Sequence, residues 1–262
     1  MRPFTRLMHR PRLEGLEHLP RDRPFLLVAN HSGGMALAEL SSFAALYAER
    51  LGGEPPLAGF ALPLGFHGPM APLHRALGSV PSTYAHAYEA LEGGASLLVF
   101  PGGDHEVLRP IWKAHEVDFA GRVGFLRIAK TAGVPIVPMG IRGSHFSAPI
   151  LLRSKVLPWL LVFPRLLGLK RFAISVLGIL GALPILFSPL ALGWKIVIVW
   201  LWMGSPVTLL PIIPSTIRFR IGAPLLPETL FAGEGDEDEL LERAYPRVVQ
   251  TVQQLVSDLG EG

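Results

Sequence analysis

Cysteine is absent from the 262 residues, and charge is scarce, at 17% Asp, Glu, Lys and Arg against about 25% in typical soluble domains. The lack of cysteine excludes a disulfide scaffold, a thiolate zinc site and a Cys nucleophile. Half the residues are hydrophobic and the mean hydropathy is +0.39. A chain this apolar buries a large core, so disorder is excluded. The 28 Gly and 25 Pro show no period, which excludes collagen. Also missing are G-x-S-x-G, H-E-x-x-H, G-x-x-x-x-G-K-[ST] and G-x-G-x-x-G. Serine-hydrolase, zinc-protease and nucleotide-binding chemistry therefore have no local signal.

Acids are missing over one long stretch. None lies between Asp118 and Glu228, where twelve Lys and Arg do. Residues 1–227 carry 22 basic and 12 acidic side chains and residues 228–262 carry two and nine, so the net +3 conceals a split of +10 and −7. Such a basic surface suits anionic lipid or nucleic acid. The apolar surroundings, and the want of any zinc-finger or RNA-binding motif, favour an anionic membrane surface and no nucleic acid.

The 46 residues from Phe172 to Ile217 hold one charge, Lys195, with uncharged runs of 22 residues or more on either side. Either run could cross a bilayer by length. Pro184, Pro189, Pro206, Pro211 and Pro214 interrupt them. Three dispositions stay open: a segment resting on or dipping into one leaflet, which fits best, a spanning hairpin, and a globular core. In either membrane case Lys170, Arg171, Arg218 and Arg220 would sit at the headgroups. The hydrophobic membrane-associated segment is placed at 156–204. The basic N-terminus, MRPFTRLMHRPR, is read as a short helix or arm on a membrane, or as a frayed end.

Elsewhere, short apolar runs alternate with helical patterns. FLLVA (25–29), SLLVF (96–100), VPIVPM (134–139) and TIRFRI (216–221) read as strands. The first two are buried. The third is an edge or irregular strand because of its prolines, and the fourth is half-exposed. Met35 to Leu51, Gly124 to Thr131 and Glu237 to Leu259 read as helices. The alternation predicts an α/β fold with a mixed, mainly parallel sheet flanked by helices. It forms a single domain over 1–227, followed by an acidic helical tail at 228–262 that can point away.

Two clusters sit directly after strands, where α/β sites are built. In ANHSGG, His31 is followed eight positions on by Glu39, a spacing that can supply a base and an orienting carboxylate. A structural or solvent-exposed histidine is the plainer alternative. In FPGGDHE, a tight turn precedes Asp104, His105 and Glu106. With His115 and Glu116 these could ligate a metal, but no ligand spacing supports one; an ordinary turn is the plainer alternative.

Together the clusters resemble the glycerolipid acyltransferases, the 1-acylglycerol-3-phosphate acyltransferase superfamily, from about Leu13 to Pro224. Asn30 and His31 match the start of the family's N-H-x-x-x-x-D block. Residue 36 is Ala, and Glu39 fills the acidic role, as in an N-H-S-G-G subgroup. LGSVPST (77–83), VFPGGDHEVLRP and GRVGFLRIAKTAGVPIVPMGIRGSH are similar to the second, third and fourth motifs, the third in its P-G-G form.

The resemblance implies a membrane-associated O-acyltransferase of lipid metabolism on the cytoplasmic face of a membrane. It would need no cofactor or metal. Acyl-CoA or acyl carrier protein would donate a fatty acyl group to the hydroxyl of a glycerolipid or related lipid alcohol. His31 would be the general base and Glu39 its orienting partner. Substrate contacts are expected at Asn30, Ser32, Gly33, Gly34, Gly78, Pro81, Ser82, Pro101, Gly102, Gly103, Asp104, Glu106 and Arg109. The N–H groups of Gly102 and Gly103 are candidates for the oxyanion. The arginines that hold the acceptor phosphate in other members have no counterpart in the second and third motifs, and the P-G-G form resembles neutral-acceptor members; Arg109, Arg122, Arg127 or Arg142 could still supply a phosphate contact, so the acceptor class stays open. A non-catalytic lipid-binding protein and a thioesterase remain the alternatives.

Overall fold

A computed structural model describes residues 2–31, 33–35, 37–61, 63–66, 71–76 and 78–261; Ser32, expected to touch substrate, lies outside them. Among the described residues there are nine strands: β1 Arg12–Glu14, β2 Leu26–Ala29, β3 Leu57–Ala61, β4 Val80–Pro81, β5 Ser96–Val99, β6 Ile136–Arg142, β7 Ile150–Ser154, β8 Phe172–Ser175 and β9 Arg218–Ile221. Seven form one sheet in the order β1-β9-β6-β2-β5-β3-β4, while β7 and β8 pair antiparallel by themselves. In the large sheet every pairing is parallel except β6 with β9.

The unbroken apolar run at β2 follows from burial on both faces. Leu26 and Val28 enter one core with Phe125, Leu126 and the C-terminal helix. Leu27 and Ala29 enter the other with Ala38, Phe43 and Phe219. The helix Leu37–Leu51 covers the second face and ends before two glycines in the left-handed region, Gly52 and Gly53.

The strand after Val134 is not an edge. β6 lies inside the sheet, between β2 and β9. Pro138 is accommodated because only its carbonyl is needed there: it accepts from Gly222 N–H at 2.8 Å, just past the end of β9. The last strand alternates as its pattern predicts, with Phe219 and Ile221 buried and Arg218 and Arg220 half-buried. Both arginines bind within the fold, Arg218 to the Leu259 carbonyl and Arg220 to Glu14.

The acidic segment forms one helix, Glu237–Asp258, capped by the Asp236 side chain on Glu239 N–H at 2.9 Å. Its acids crowd the first turn, where the helix dipole favours them. It does not point away. Leu241, Ala244, Val248, Val252 and Val256 are buried in the core over β6, so residues 228–262 share the core of the preceding domain. The N-terminus is a helix, Arg2–His9, held to Leu37–Leu51 by Arg6 and Glu49 at 2.5 Å.

The uncharged segment begins as β8, whose Phe172 is fully buried in a third, small core with Leu108, Ile150 and Leu209. It then forms a helical hairpin, Val176–Phe187 and Leu192–Gly204. Among the described residues no helix is long and apolar enough to cross a membrane. At 1.5 Å per residue the two reach about 18 and 20 Å, short of the roughly 30 Å hydrocarbon core.

Candidate active site

β6, β2 and β5 are parallel neighbours, so their C-terminal ends open on one edge of the sheet. The segments after them converge: Gly143–Phe146 after β6, Asn30, His31, Gly33 and Gly34 after β2, and the Pro101–Asp104 turn after β5. His31 stands at the middle of the three.

Glu39, in the first turn of Leu37–Leu51, is completely buried, and its Oε1 binds His31 Nδ1. Its Oε2 accepts from Ser144 Oγ at 3.0 Å. A carboxylate at Nδ1 fixes the tautomer with the proton on that nitrogen and the lone pair on Nε2. The His31 ring stacks on Phe100, with centroids 4.2 Å apart, and its side chain is 14% exposed. Phe100 and Ser144 complete this arrangement although no motif marks them for the role. Their sequence signals are membership of the third and fourth motifs, Phe100 in VFPGGDHEVLRP and Ser144 in GRVGFLRIAKTAGVPIVPMGIRGSH, and position: each follows a strand that neighbours β2.

The residues expected to bind substrate divide on inspection. Asn30 does not face a ligand. Its Nδ2 donates to the Ile141 carbonyl at 2.9 Å and its Oδ1 accepts from Ile141 N–H at 2.7 Å, tying the end of β2 to β6. Glu106 is also buried rather than ligand-facing. Its Oε2 accepts from His31 N–H at 2.9 Å, and its Oε1 accepts from Asp118 N–H at 3.0 Å and from Arg109 at 2.7 Å. Burial pushes the Glu106 carboxyl up to about 7 against the opposing pull of Arg109 and the two N–H groups. Arg109 is consumed by this pair. Gly102 is required because a Cβ there would overlap the Glu106 side chain.

Gly33 and Gly34 have φ of 85° and 72° and pass against the Ser144 and Leu209 carbonyls, so they close the loop around His31 rather than open it to a ligand. The Gly103 N–H is used by the Phe100 carbonyl at 3.1 Å and is not an oxyanion donor. The Pro101 and Gly102 carbonyls accept from Arg122 at 3.0 and 2.8 Å. Asp104 lies between Arg122 at 2.8 Å and Arg171 at 3.0 Å. Burial raises its carboxyl, and the two arginines overcome that and hold it below its ordinary value. Gly78, Pro81 and Ser82 lie by β4 at the sheet edge, three strands from β2, or roughly 14 Å at about 4.8 Å per strand. The structure does not bring them to His31.

Of the other arginines considered for a phosphate, Arg127 binds Asp238 at 2.8 Å and Arg142 the Val256 carbonyl at 3.1 Å, both on the C-terminal helix. Among the described residues no three His, Asp or Glu converge on a metal-sized site. His145, beside Ser144, is buried, and its Nε2 has no partner among the described residues. Burial depresses its pKa to about 3, helped by Arg109, His115 and His31.

Comparison with known proteins gives three kinds of similarity. The Acyltransferase family model matches residues 10–142. Uncharacterized proteins of Mycobacterium tuberculosis and Mycobacterium leprae are 27% and 26% identical over the whole chain, which spans 65% and 64% of their lengths. Phytyl ester synthase 2, chloroplastic, of Arabidopsis thaliana is 30% identical over 151 residues, 54% of this chain and 21% of that protein. The crystal structure of the 1-acyl-sn-glycerophosphate acyltransferase PlsC from Thermotoga maritima superposes with a TM-score of 0.51 at 22% identity, over 97% of this chain and 75% of that one. It shares the α/β fold. The matched span contains β2, His31, Glu39, the Pro-Gly-Gly turn and all of β6, and the chain belongs to the Acyltransferase family, within the glycerolipid acyltransferase superfamily.

Proposed function

We propose that this chain transfers a fatty acyl group from an acyl thioester, carried by coenzyme A or acyl carrier protein, to the hydroxyl of a lipid alcohol at a membrane surface. The observation that carries the reading is the buried Glu39 on His31 Nδ1, which leaves Nε2 as the basic nitrogen. Nε2 takes the proton of the acceptor hydroxyl as its oxygen attacks the thioester carbonyl. The tetrahedral intermediate collapses, the C–S bond breaks, and the leaving thiolate recovers the proton from Nε2. An ester and a free thiol result, with no acyl-enzyme and no cofactor. Glu39 stabilises the imidazolium formed in between, and Ser144 holds Glu39. One relative is named a phytyl ester synthase, and this reading adopts the same reaction class, ester synthesis.

The hairpin supports the membrane part of the reading. Phe187, Leu192 and Trp194 are 85%, 74% and 63% exposed, and Trp159, Leu160 and Leu166 extend the same apolar character in the helices before it. A solvated patch of this size marks an interaction surface. Lys155, Arg165 and Lys170 are exposed in the same segment, and Arg165 stacks on Trp159 at 4.3 Å. Cations beside an apolar patch suit an anionic leaflet. The segment rests on the membrane without crossing it.

The test is transfer of labelled acyl chain from acyl-CoA into vesicles that contain a lipid alcohol. Labelled ester formed by the wild type and lost in His31→Ala is the expected result. Label released as free fatty acid whether or not an alcohol is present makes the protein a thioesterase. Ester formation unchanged in His31→Ala overturns the mechanism.

A further inference from the structure

The small sheet carries the apolar hairpin. β8 runs directly into its first helix, Val176–Phe187, and β7 lies antiparallel beside β8. Two arginines of this unit reach across to the turn that follows β5. Arg171, the residue before β8, binds Asp104 Oδ2 at 3.0 Å. Arg153, in β7 opposite Ala173, donates to the His105 carbonyl. Leu108, just past the turn, shares one small core with Ile150, Phe172 and Leu209.

Neutralising Asp104 does not require Arg171. Arg122 binds the other carboxylate oxygen at 2.8 Å and is itself fixed on the Pro101 and Gly102 carbonyls. Asp104 is the one partner of Arg171 among the described residues. Arg171 is 18% exposed and Asp104 24%, so water screens the pair only in part. The sequence places Arg171 at a lipid headgroup; its guanidinium instead binds the turn.

This ion pair lies one step from the loop that bears His31. Asp104 and His105 belong to the short helix Gly103–Val107. From the same helix, Glu106 Oε2 accepts from His31 N–H at 2.9 Å, and the Val107 carbonyl accepts from Gly34 N–H at 3.2 Å. The His31 ring itself is held by Glu39 and Phe100, which belong to neither the small sheet nor the hairpin. Loss of Arg171 therefore leaves the base assembled and loosens the hairpin from it.

We propose that Arg171 is a positioning residue: through Asp104 it fixes the membrane-resting hairpin to the turn, so that His31 is aimed at an acceptor hydroxyl in the leaflet. This role rests on the acyl-transfer reading and on the membrane contact within it. Its signature is selective. With the hairpin loosened, an alcohol anchored in the leaflet meets His31 at varying angles, and a displacement of about 1 Å can cost roughly a hundredfold in rate. An alcohol dissolved in water is not held by the leaflet and is spared.

Two measurements on the full chain test it. The first is hydrogen exchange of the backbone amides of residues 102–107, with and without phosphatidylglycerol vesicles. Vesicles should slow exchange about tenfold in the wild type and leave it nearly unchanged in Arg171→Gln. Arg171→Lys, which keeps the charge, should recover much of the slowing. The second is the ratio of kcat/KM for hexadecanol in the vesicles to that for hexanol in water. Arg171→Gln should lower this ratio about tenfold, the worth of one hydrogen bond between charged groups, with sedimentation on vesicles unchanged. Equal slowing of exchange in wild type and Arg171→Gln overturns the role. So does an equal loss with both alcohols, or weaker sedimentation of Arg171→Gln, as when the guanidinium binds a headgroup instead. A wild type that esterifies neither alcohol but shows the difference in exchange rejects the acyl-transfer reading and leaves the link between hairpin and turn standing. A wild type that does not sediment with vesicles rejects the membrane contact, and the role with it.

Discussion

Glu39 Oε1 holds His31 Nδ1 from a position with no solvent exposure, and Ser144 Oγ holds the other oxygen of the same carboxylate at 3.0 Å. The base is thus oriented by a residue eight positions along the chain, and its orienter by one more than a hundred positions away.

Replacing Glu39 by Gln keeps the shape and removes the charge. The ring then loses the partner that fixes its tautomer and stabilises the imidazolium. Acyl transfer should fall about a hundredfold or more, and less than in His31→Ala. Ser144→Ala should cost about tenfold, the worth of one hydrogen bond to a charged group. Initial rates on one donor and one lipid alcohol give the order. Equal rates for wild type and Glu39→Gln would mean that another group orients His31.

Asn30 precedes the base but acts on the backbone. Asn30→Ala strands the buried N–H and carbonyl of Ile141. The protein should lose about 2–4 kcal/mol of stability, read as a lower denaturation midpoint. Rates should fall with KM for the donor little changed, because β2 and not the substrate loses its anchor. A raised KM alone would return Asn30 to substrate binding.

His145 should make the fold acid-sensitive. Its folded pKa is about 3 against 6.5 for the ordinary side chain. As pH drops through 6.5 the unfolded chain takes up a proton that the folded chain refuses until about pH 3. Its contribution is fully present above pH 6.5 and is lost progressively between there and about pH 3. Melting temperatures of His145→Gln should therefore decline less than those of the wild type between pH 7 and pH 4. Parallel curves would show that the ring is charged or exposed in the folded protein.

Attachment to a membrane is best tested without deletion, since removal of residues 172–204 would take out β8 and the buried Phe172. Phe187→Asp and Leu192→Asp alter only exposed positions. Each should weaken binding to anionic vesicles roughly tenfold or more, because a buried aromatic or leucine side chain is worth about 1.5–3 kcal/mol. Melting temperature should stay within a degree or two. Unaltered sedimentation with vesicles would move the contact elsewhere on the surface.

Much of this protein is written locally. The strands at 25–29 and 96–100, the helix from Leu37, the acidic C-terminal helix and the placing of His31 at a strand end follow from hydrophobic period, caps and glycine-rich breaks. These depend on neighbours in sequence. The uncharged run at 172–217 was legible as exceptional, while its folding as one strand and a short helical hairpin was not.

What the tertiary structure decided is which polar groups face a ligand and which face the chain. Asn30, Glu106 and Arg109 carry the marks of binding residues, yet their partners are Ile141, His31 N–H and one another. Pro138 reads as an edge signal and sits inside the sheet. Ser144 and Phe100 are given no role by the motifs that contain them, and reach His31 because β6 and β5 flank β2. Strand order is fixed by burial of both faces of one sheet, a property of the whole chain. Residue types and spacings identify the base, and only the order of strands supplies the groups that hold it.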